Sequence, residues 1–401
     1  MVRGTYYRII LIKLKILGWG VLSYELEDRV VSLVSEKARV RRTLESLLDP
    51  SEKARVRADH HSRRKPRPCG MTIHTGIGCS YGCIYCYIWD MGFPGSPRPY
   101  PLSPLGMAYA LALNPYVVPG HTLAAYGSVT EPFLPETREH AIEYISTVHE
   151  WLRLPSQVST KAIIDEELAL ALKSREPGIS VLVSAVALGE LGRRLEPNAP
   201  STEDRIRAAG AASRMGLHVT LFLRPIIPGI PLGEYEALIR YAREQGMERI
   251  VLGTLRVTRG IVSRLRAAGV EIPPSRLPET LHARRQAPVR ATDIKERLKL
   301  VAENMGFTVY PSACAANIDS HSLKCWKCPH GPCGGRPRDP GVEQVAAALR
   351  ALSGGRADFR VRRIGPCNYR VYPRSGISRV EIAAHWVAEV SMCRVAVAGA
   401  R

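Results

Sequence analysis

The sequence predicts an α/β protein built on a parallel sheet, and three observations carry that prediction. Short β-rich runs alternate with stretches of helical periodicity from Met71 onward, six such runs occur in strict alternation, and the 401-residue chain is long enough for one large α/β domain with appendages. The predicted strands are Met71–Thr75, Thr122–Tyr126, Gln157–Lys161, Ser180–Ala185, Val219–Arg224 and Arg249–Leu255. Helical periodicity marks Thr137–Leu152, Glu166–Ser174, Thr202–Met215 and Leu232–Gln245. Parallel strands need right-handed crossovers, which either an open six-stranded partial barrel or a doubly wound sheet supplies. Periodicity does not separate the two. In a barrel, chemistry gathers at the C-terminal ends of the strands, where the cysteines Cys79–Cys86 follow the first predicted strand.

On either side of this core the pattern changes. Residues 1–68 read as a basic helical extension and linker, in which the heptapeptide SEKARVR occurs at Ser35–Arg41 and again at Ser51–Arg57. Two copies are too few for a solenoid. Arg63, Arg64, Lys65, Pro66, Arg67 and Pro68 make a stiff basic linker. The core is expected over residues 69–270, with Pro273, Pro274 and Pro278 marking its end. Residues 271–340 form a connecting segment with a helix at Lys295–Glu303, a short strand at Thr308–Tyr310 and a second group of cysteines. Residues 341–401 read as a small α+β appendage: helix Val342–Leu352, strands Phe359–Ile364 and Asn368–Tyr372, helix Val380–Val390.

The formal charge of +19 favours a polyanionic partner such as nucleic acid, and fits equally the solvated surface of a heat-adapted protein. The apolar run Ile9–Leu22 is interrupted by Lys13 and Lys15 and is shorter than the ~20 residues of a membrane span, so a cytoplasmic protein with no membrane partner is expected. Seven of the ten cysteines fall in two short clusters, with Cys69, Cys367 and Cys393 standing apart, and the clusters read as metal ligands rather than a disulfide framework.

The first cluster is Cys79-Ser-Tyr-Gly-Cys83-Ile-Tyr85-Cys86, a C-x3-C-x2-C arrangement. Cubane iron–sulfur clusters normally take four thiolates. A loop offering three leaves one iron open to a substrate or cofactor. A zinc site short of one ligand and a purely structural loop are the alternatives.

The spacing, with an aromatic residue just before the third cysteine, resembles the signature of the radical S-adenosylmethionine (SAM) superfamily. The resemblance continues through Gly127-Ser128-Val129-Thr130-Glu131-Pro132, Ser159-Thr160-Lys161, Val183-Ser184, Leu195–Ser201 and Arg224–Gly229. In this order they look like the branch that contains spore photoproduct lyase, over roughly residues 71–260. The resemblance implies a partial (β/α)6 TIM-like barrel of radical SAM type and a [4Fe–4S] cluster on Cys79, Cys83 and Cys86. Tyr85 would then lie near the adenine of SAM, Ser128 and Thr130 at its methionine end, and Lys161 and Ser184 toward its carboxylate or ribose. It further implies reductive cleavage of SAM to a 5′-deoxyadenosyl radical that abstracts hydrogen from a substrate, and a reductant such as ferredoxin or flavodoxin. Spore photoproduct lyase uses a cysteine near the Gly127–Glu131 segment as hydrogen donor; this chain has none between Cys86 and Cys314, so thymine-dimer repair by that route is not expected. No catalytic residue beyond the cofactor holders is singled out.

The second cluster, Cys314, Cys325, Cys328 and Cys333, is a complete four-thiolate set, suited to a second [4Fe–4S] cluster or to structural zinc. His60-His61 beside Asp59 reads as a solvated turn of the linker with metal binding as the alternative, and the Arg/Tyr/Phe-bearing strands near residues 359–374 as a half-buried hairpin. Three functions follow: a radical SAM enzyme acting on an unidentified substrate, nucleic acid first; a radical SAM enzyme modifying a peptide or protein; or a non-catalytic zinc-binding nucleic-acid module.

Overall fold

The computed structural model describes residues 25–67, 70–355 and 357–399. They fall into two compact units, Glu36–Arg336 and the described residues on either side of it. Cys69 and the apolar run Ile9–Leu22 lie outside the described residues.

The larger unit carries one parallel sheet of seven strands: β1 (Met71–Ile73), β2 (Ala124–Tyr126), β3 (Ser156–Thr160), β4 (Ser180–Ala185), β5 (His218–Ile226), β6 (Arg249–Thr254) and β7 (Thr308–Tyr310). Their order across the sheet is their order along the chain. A doubly wound sheet reverses direction at a switch point, whereas here every crossover advances the same way, which is the winding of an open partial barrel. β1 and β7 are its two edges. The seventh strand comes from the segment expected to connect, where Thr308 pairs with Arg249 of β6.

Burial explains why these runs are strands. Val181, Val183, Leu221, Leu223, Ile250 and Leu252 join the main core, while the alternate residues Leu182, Phe222 and Val251 join a separate cluster with Tyr310, Ala315 and Ala316. Both faces of the central strands are therefore apolar, and β4 is buried along its whole length, as expected for a sheet covered on two sides.

The helices are α1 (Glu25–Leu47), α2 (Pro50–Ala58), α3 (Pro104–Leu113), α4 (Arg138–Leu152), α5 (Glu166–Arg175), α6 (Gly189–Leu195), α7 (Thr202–Arg214), α8 (Leu232–Glu244), α9 (Arg259–Ala267), α10 (Thr292–Asn304) and α11 (Ala313–Ser320). The two SEKARVR copies lie within α1 and α2. Side-chain caps start several helices: Asp49 accepts from the Ser51 and Glu52 amides, Asp165 from Leu168 and Ser201 from Asp204, each worth about 1 kcal/mol. Helix α11 sits at the N-terminal ends of the strands, where Gln157 donates to the Ala313 carbonyl (2.6 Å) and Asn317 to that of Pro155 (3.0 Å).

The smaller unit contains α12 (Gly341–Ser353), β8 (Phe359–Gly365), β9 (Asn368–Pro373), α13 (Ile377–Ser391) and β10 (Arg394–Val397). β8 pairs antiparallel with β9, and β9 pairs parallel with β10. Tyr369 and Val371 are buried while Arg360, Arg362 and Arg363 are exposed, so the hairpin has one wet face. Cys367 and Cys393, apart in sequence, meet as a disulfide. Among the described residues no helix is long and apolar enough to cross a membrane.

Candidate metal and cofactor site

The loop that follows β1 carries Cys79, Cys83 and Cys86, and neighbouring segments hold its backbone. Gly76 and Ile77 pair antiparallel with Pro99 and Arg98. At Gly78, φ is +86° and a Cβ would come within 2.6 Å of the Pro94 and Ser96 carbonyls, which excludes a side chain there. The Ile84 amide donates to the Leu195 carbonyl (3.1 Å), and Asn198 donates through its side chain to Ser80 (3.0 Å). From α9, Arg264 donates to the carbonyls of Ile84 (2.8 Å) and Cys86 (3.0 Å) while pairing with Asp90 (2.9 Å). Cys83 is buried, and Cys79 and Cys86 are half-buried. Burial pushes the Cys83 thiol up to about 12, with Lys161 pulling the other way, and raises Cys79 as well. Thiols so reluctant to ionise become thiolates most readily with a cation among them.

Chain segments at the C-terminal ends of the next three strands face this loop. One cavity is lined by Cys79, Tyr81, Cys83, Tyr85 and Cys86 together with Ser128 and Thr130 after β2, Lys161 after β3 and Ser184 of β4. Every residue expected from the sequence at the first site thus meets in a single pocket. Gly127 makes the turn after β2 with φ +93°, and a Cβ there would lie 2.2 Å from the Ser159 carbonyl. The Ser128 hydroxyl is buried in this pocket with no hydrogen-bond partner among the described residues, and the Ser128 carbonyl accepts from the Tyr87 hydroxyl (2.6 Å). Glu131, whose pKa burial raises, accepts from the Thr160 hydroxyl and from the Lys161 amide (2.8 Å), and so locks the ends of β2 and β3 together.

Sequence reasoning assigned no role to Glu196 or Arg205, yet they form the ionic base of the pocket. They are 2% and 1% exposed. Glu196 pairs with Arg205 and accepts from the Tyr85 hydroxyl. Arg205 also donates to the carbonyls of Ser184 (2.5 Å) and Ser201 (3.3 Å) and to the Thr202 hydroxyl (2.8 Å). The Lys161 ammonium lies 3.9 Å from Glu196 and 5.6 Å from the centre of the Tyr85 ring. Burial lowers its basicity, but Cys83 and Glu196 outweigh that and hold its pKa above the ordinary lysine value. Lys161 is therefore a cation inside the cavity rather than a solvated residue at a strand end. The only sequence signal for this pair was Glu196 within the Leu195–Ser201 motif.

The second cysteine group lies elsewhere on the barrel. Cys325 and Cys333 exchange backbone hydrogen bonds of 2.9 and 2.8 Å. Cys333 packs against the cluster of Leu182, Phe222, Val251 and Tyr310. Burial, followed by the proximity of Cys314, Cys325 and Cys328, pushes the Cys333 thiol up to about 11, so all four sulfurs share one neighbourhood. The Ser312 hydroxyl lies 3.2 Å from the Cys314 sulfur. Among the described residues, the one trio of His, Cys, Asp or Glu ligand atoms lying within 4.8 Å of one another consists of histidines.

No protein-family model matches the chain, and no curated protein sequence matches it. Among solved structures it is similar to a double mutant of spore photoproduct lyase with bound AdoMet and dinucleoside spore photoproduct, at 16% identity and TM-score 0.50, covering 61% of this chain and 78% of that one. A single mutant of the same lyase gives the same identity, TM-score and coverage. SuiB of Streptococcus suis bound to S-adenosylmethionine matches at 12% identity and TM-score 0.39, over 61% of this chain and 51% of that one. The partial barrel described above is the fold of spore photoproduct lyase, a radical SAM enzyme.

Proposed function

We propose that this chain is a radical SAM enzyme. The observation that carries the reading is the single pocket at the strand ends, where three cysteines on one loop face Ser128, Thr130, Lys161 and Ser184. The donor set fits the groups it would hold: three thiols leave one iron of a [4Fe–4S] cluster open, and the partnerless buried Ser128 hydroxyl points to a polar ligand. When bound, that cluster and SAM supply one-electron cleavage of a carbon–sulfur bond and hydrogen abstraction.

The chain's own residues bind, orient and exclude water. Ser128 and Thr130 offer hydroxyls, and Lys161 offers a positive charge to the SAM carboxylate or ribose. Glu196 fixes the Tyr85 hydroxyl, leaving the ring to line the pocket, while Tyr81, Ile88 and Val129 give it apolar walls. Reconstituted under anaerobic conditions and reduced, the protein should show a cubane electron paramagnetic resonance signal that changes shape when SAM is added. A signal indifferent to SAM contradicts the proposal.

Nucleic acid is the favoured substrate class, supported by the +19 charge and by the dinucleoside photoproduct bound in the similar lyase structure. Retention on immobilised tRNA or DNA with a steep salt slope tests it; peptide modification is the alternative should retention fail. For Cys314, Cys325, Cys328 and Cys333 we favour a second [4Fe–4S] cluster over zinc, because four thiolates complete a cubane's ligand set and the chain already offers an iron–sulfur site at Cys79, Cys83 and Cys86. A ferredoxin or flavodoxin would supply the electron, in keeping with the expected cytoplasmic setting.

A further inference from the structure

The pair His60-His61 reads in the sequence as a solvated turn, and the structure gives it a different setting. His61 has no exposed surface at all. It sits in a short 3-10 turn after α2, and the chain brings it against His74, the residue immediately following β1. One ligand nitrogen from each of His60, His61 and His74 lies within 4.8 Å of the other two. The ring centres are 4.1 Å apart for His60–His61, 5.1 Å for His60–His74 and 5.0 Å for His61–His74.

We propose that these three histidines are a further metal site, holding one zinc-class divalent cation through three imidazole nitrogens and clamping the turn after α2 to the end of β1. Three imidazoles are a donor set that such ions favour, with a fourth position left for water. The surroundings match. The Asp59 carboxylate lies 2.7 Å from His61 Nδ1, so Nδ1–H donates to it and the lone pair falls on Nε2. A carboxylate behind a ligand histidine is the usual outer partner of such sites. Asp59 is itself held by the Tyr100 hydroxyl at 2.5 Å. The contacts a metal would supplant are weak ones: the His74 amide reaches His61 Nε2 only at 3.3 Å, and the Tyr100 hydroxyl is 3.4 Å from His60 Nδ1.

The consequence is mechanical. His74 precedes Cys79 by five residues, so an ion here would tether the base of the cluster loop to the N-terminal helices. Full-length protein with its iron–sulfur content restored should, after chelator treatment, take up zinc whose K-edge absorption fine structure shows a shell of nitrogen or oxygen at about 2.0–2.1 Å with imidazole scattering beyond. His60→Ala and His74→Ala should each lose one zinc per chain with unchanged iron, and Asp59→Asn should bind zinc ten- to a hundredfold more weakly. Because the wild-type spectrum needs no variant to fold, the test stands even if a substitution unfolds the chain. Absence of retained zinc, a first shell of sulfur, or equal zinc in wild type and both alanine variants overturns the proposal.

Discussion

Glu196→Ala removes the carboxylate that joins Tyr85 to Arg205, and the structure sets the size of the effect. Both charges are essentially fully buried, at 2% and 1% exposure. Breaking a buried ion pair by deleting one partner costs about 3–5 kcal/mol, because the other charge stays in the interior uncompensated. The Tyr85 hydroxyl loses its acceptor as well, which adds about 1–3 kcal/mol. The three remaining contacts of Arg205, to Ser184, Ser201 and Thr202, pull the total back, so about 4 kcal/mol is expected. For the unit Glu36–Arg336 that lowers the unfolding midpoint by roughly 6 °C. Midpoints measured by circular dichroism at one fixed heating rate, for wild type, Glu196→Ala, Arg205→Met and the double variant, make a thermodynamic cycle. The double variant should be less destabilised than the two single losses together by at least about 1 kcal/mol, since neither member of the Glu196–Arg205 pair is then left without the other. A drop of under 2 °C for Glu196→Ala, or strictly additive losses, would refute this account of the pocket base.

Two further predictions concern the bound groups. Lys161→Ala should weaken SAM binding roughly ten- to a hundredfold, the 1.5–3 kcal/mol of one charge-assisted contact, without lowering iron content. Unchanged affinity in equilibrium dialysis places the lysine elsewhere. With Cys79, Cys83 and Cys86 all changed to Ala, the protein should still be reconstituted to about four irons and show a cubane spectrum, yet cleave no SAM; a colourless variant holding zinc in a first shell of sulfur would assign Cys314, Cys325, Cys328 and Cys333 to zinc.

The strands and the amphipathic helices were legible because each carries its own periodicity; β4 runs over Ser180–Ala185 in sequence and structure alike. Helix α3 was not legible. It is PLGMAYALAL, buried from Gly106 to Ala112, and a helix covered on every side has no polar stripe to betray it. Strand β7 was visible as a strand, but its place beside β6 was not, since pairing across so long a gap leaves no mark in local sequence. At the site, cysteine spacing singled out the loop after β1, and the short motifs after β2, β3 and β4 singled out residues that line the same cavity. What escaped were partners set by folding alone: Tyr85 with Glu196, Arg264 with the loop carbonyls, His74 with His60 and His61, and Cys367 with Cys393. Each joins residues from separate elements, where residue type says what a side chain can do but not what it meets.

The central claim, that the three-cysteine pocket cleaves SAM, is tested most directly by mass spectrometry of the reaction products. Anaerobically reconstituted protein, reduced with dithionite and given SAM alone, should release 5′-deoxyadenosine and methionine slowly, and Cys83→Ala should release neither. Product formation in Cys83→Ala at the wild-type rate, or none from a wild-type protein whose cubane is intact and reduced, contradicts the account.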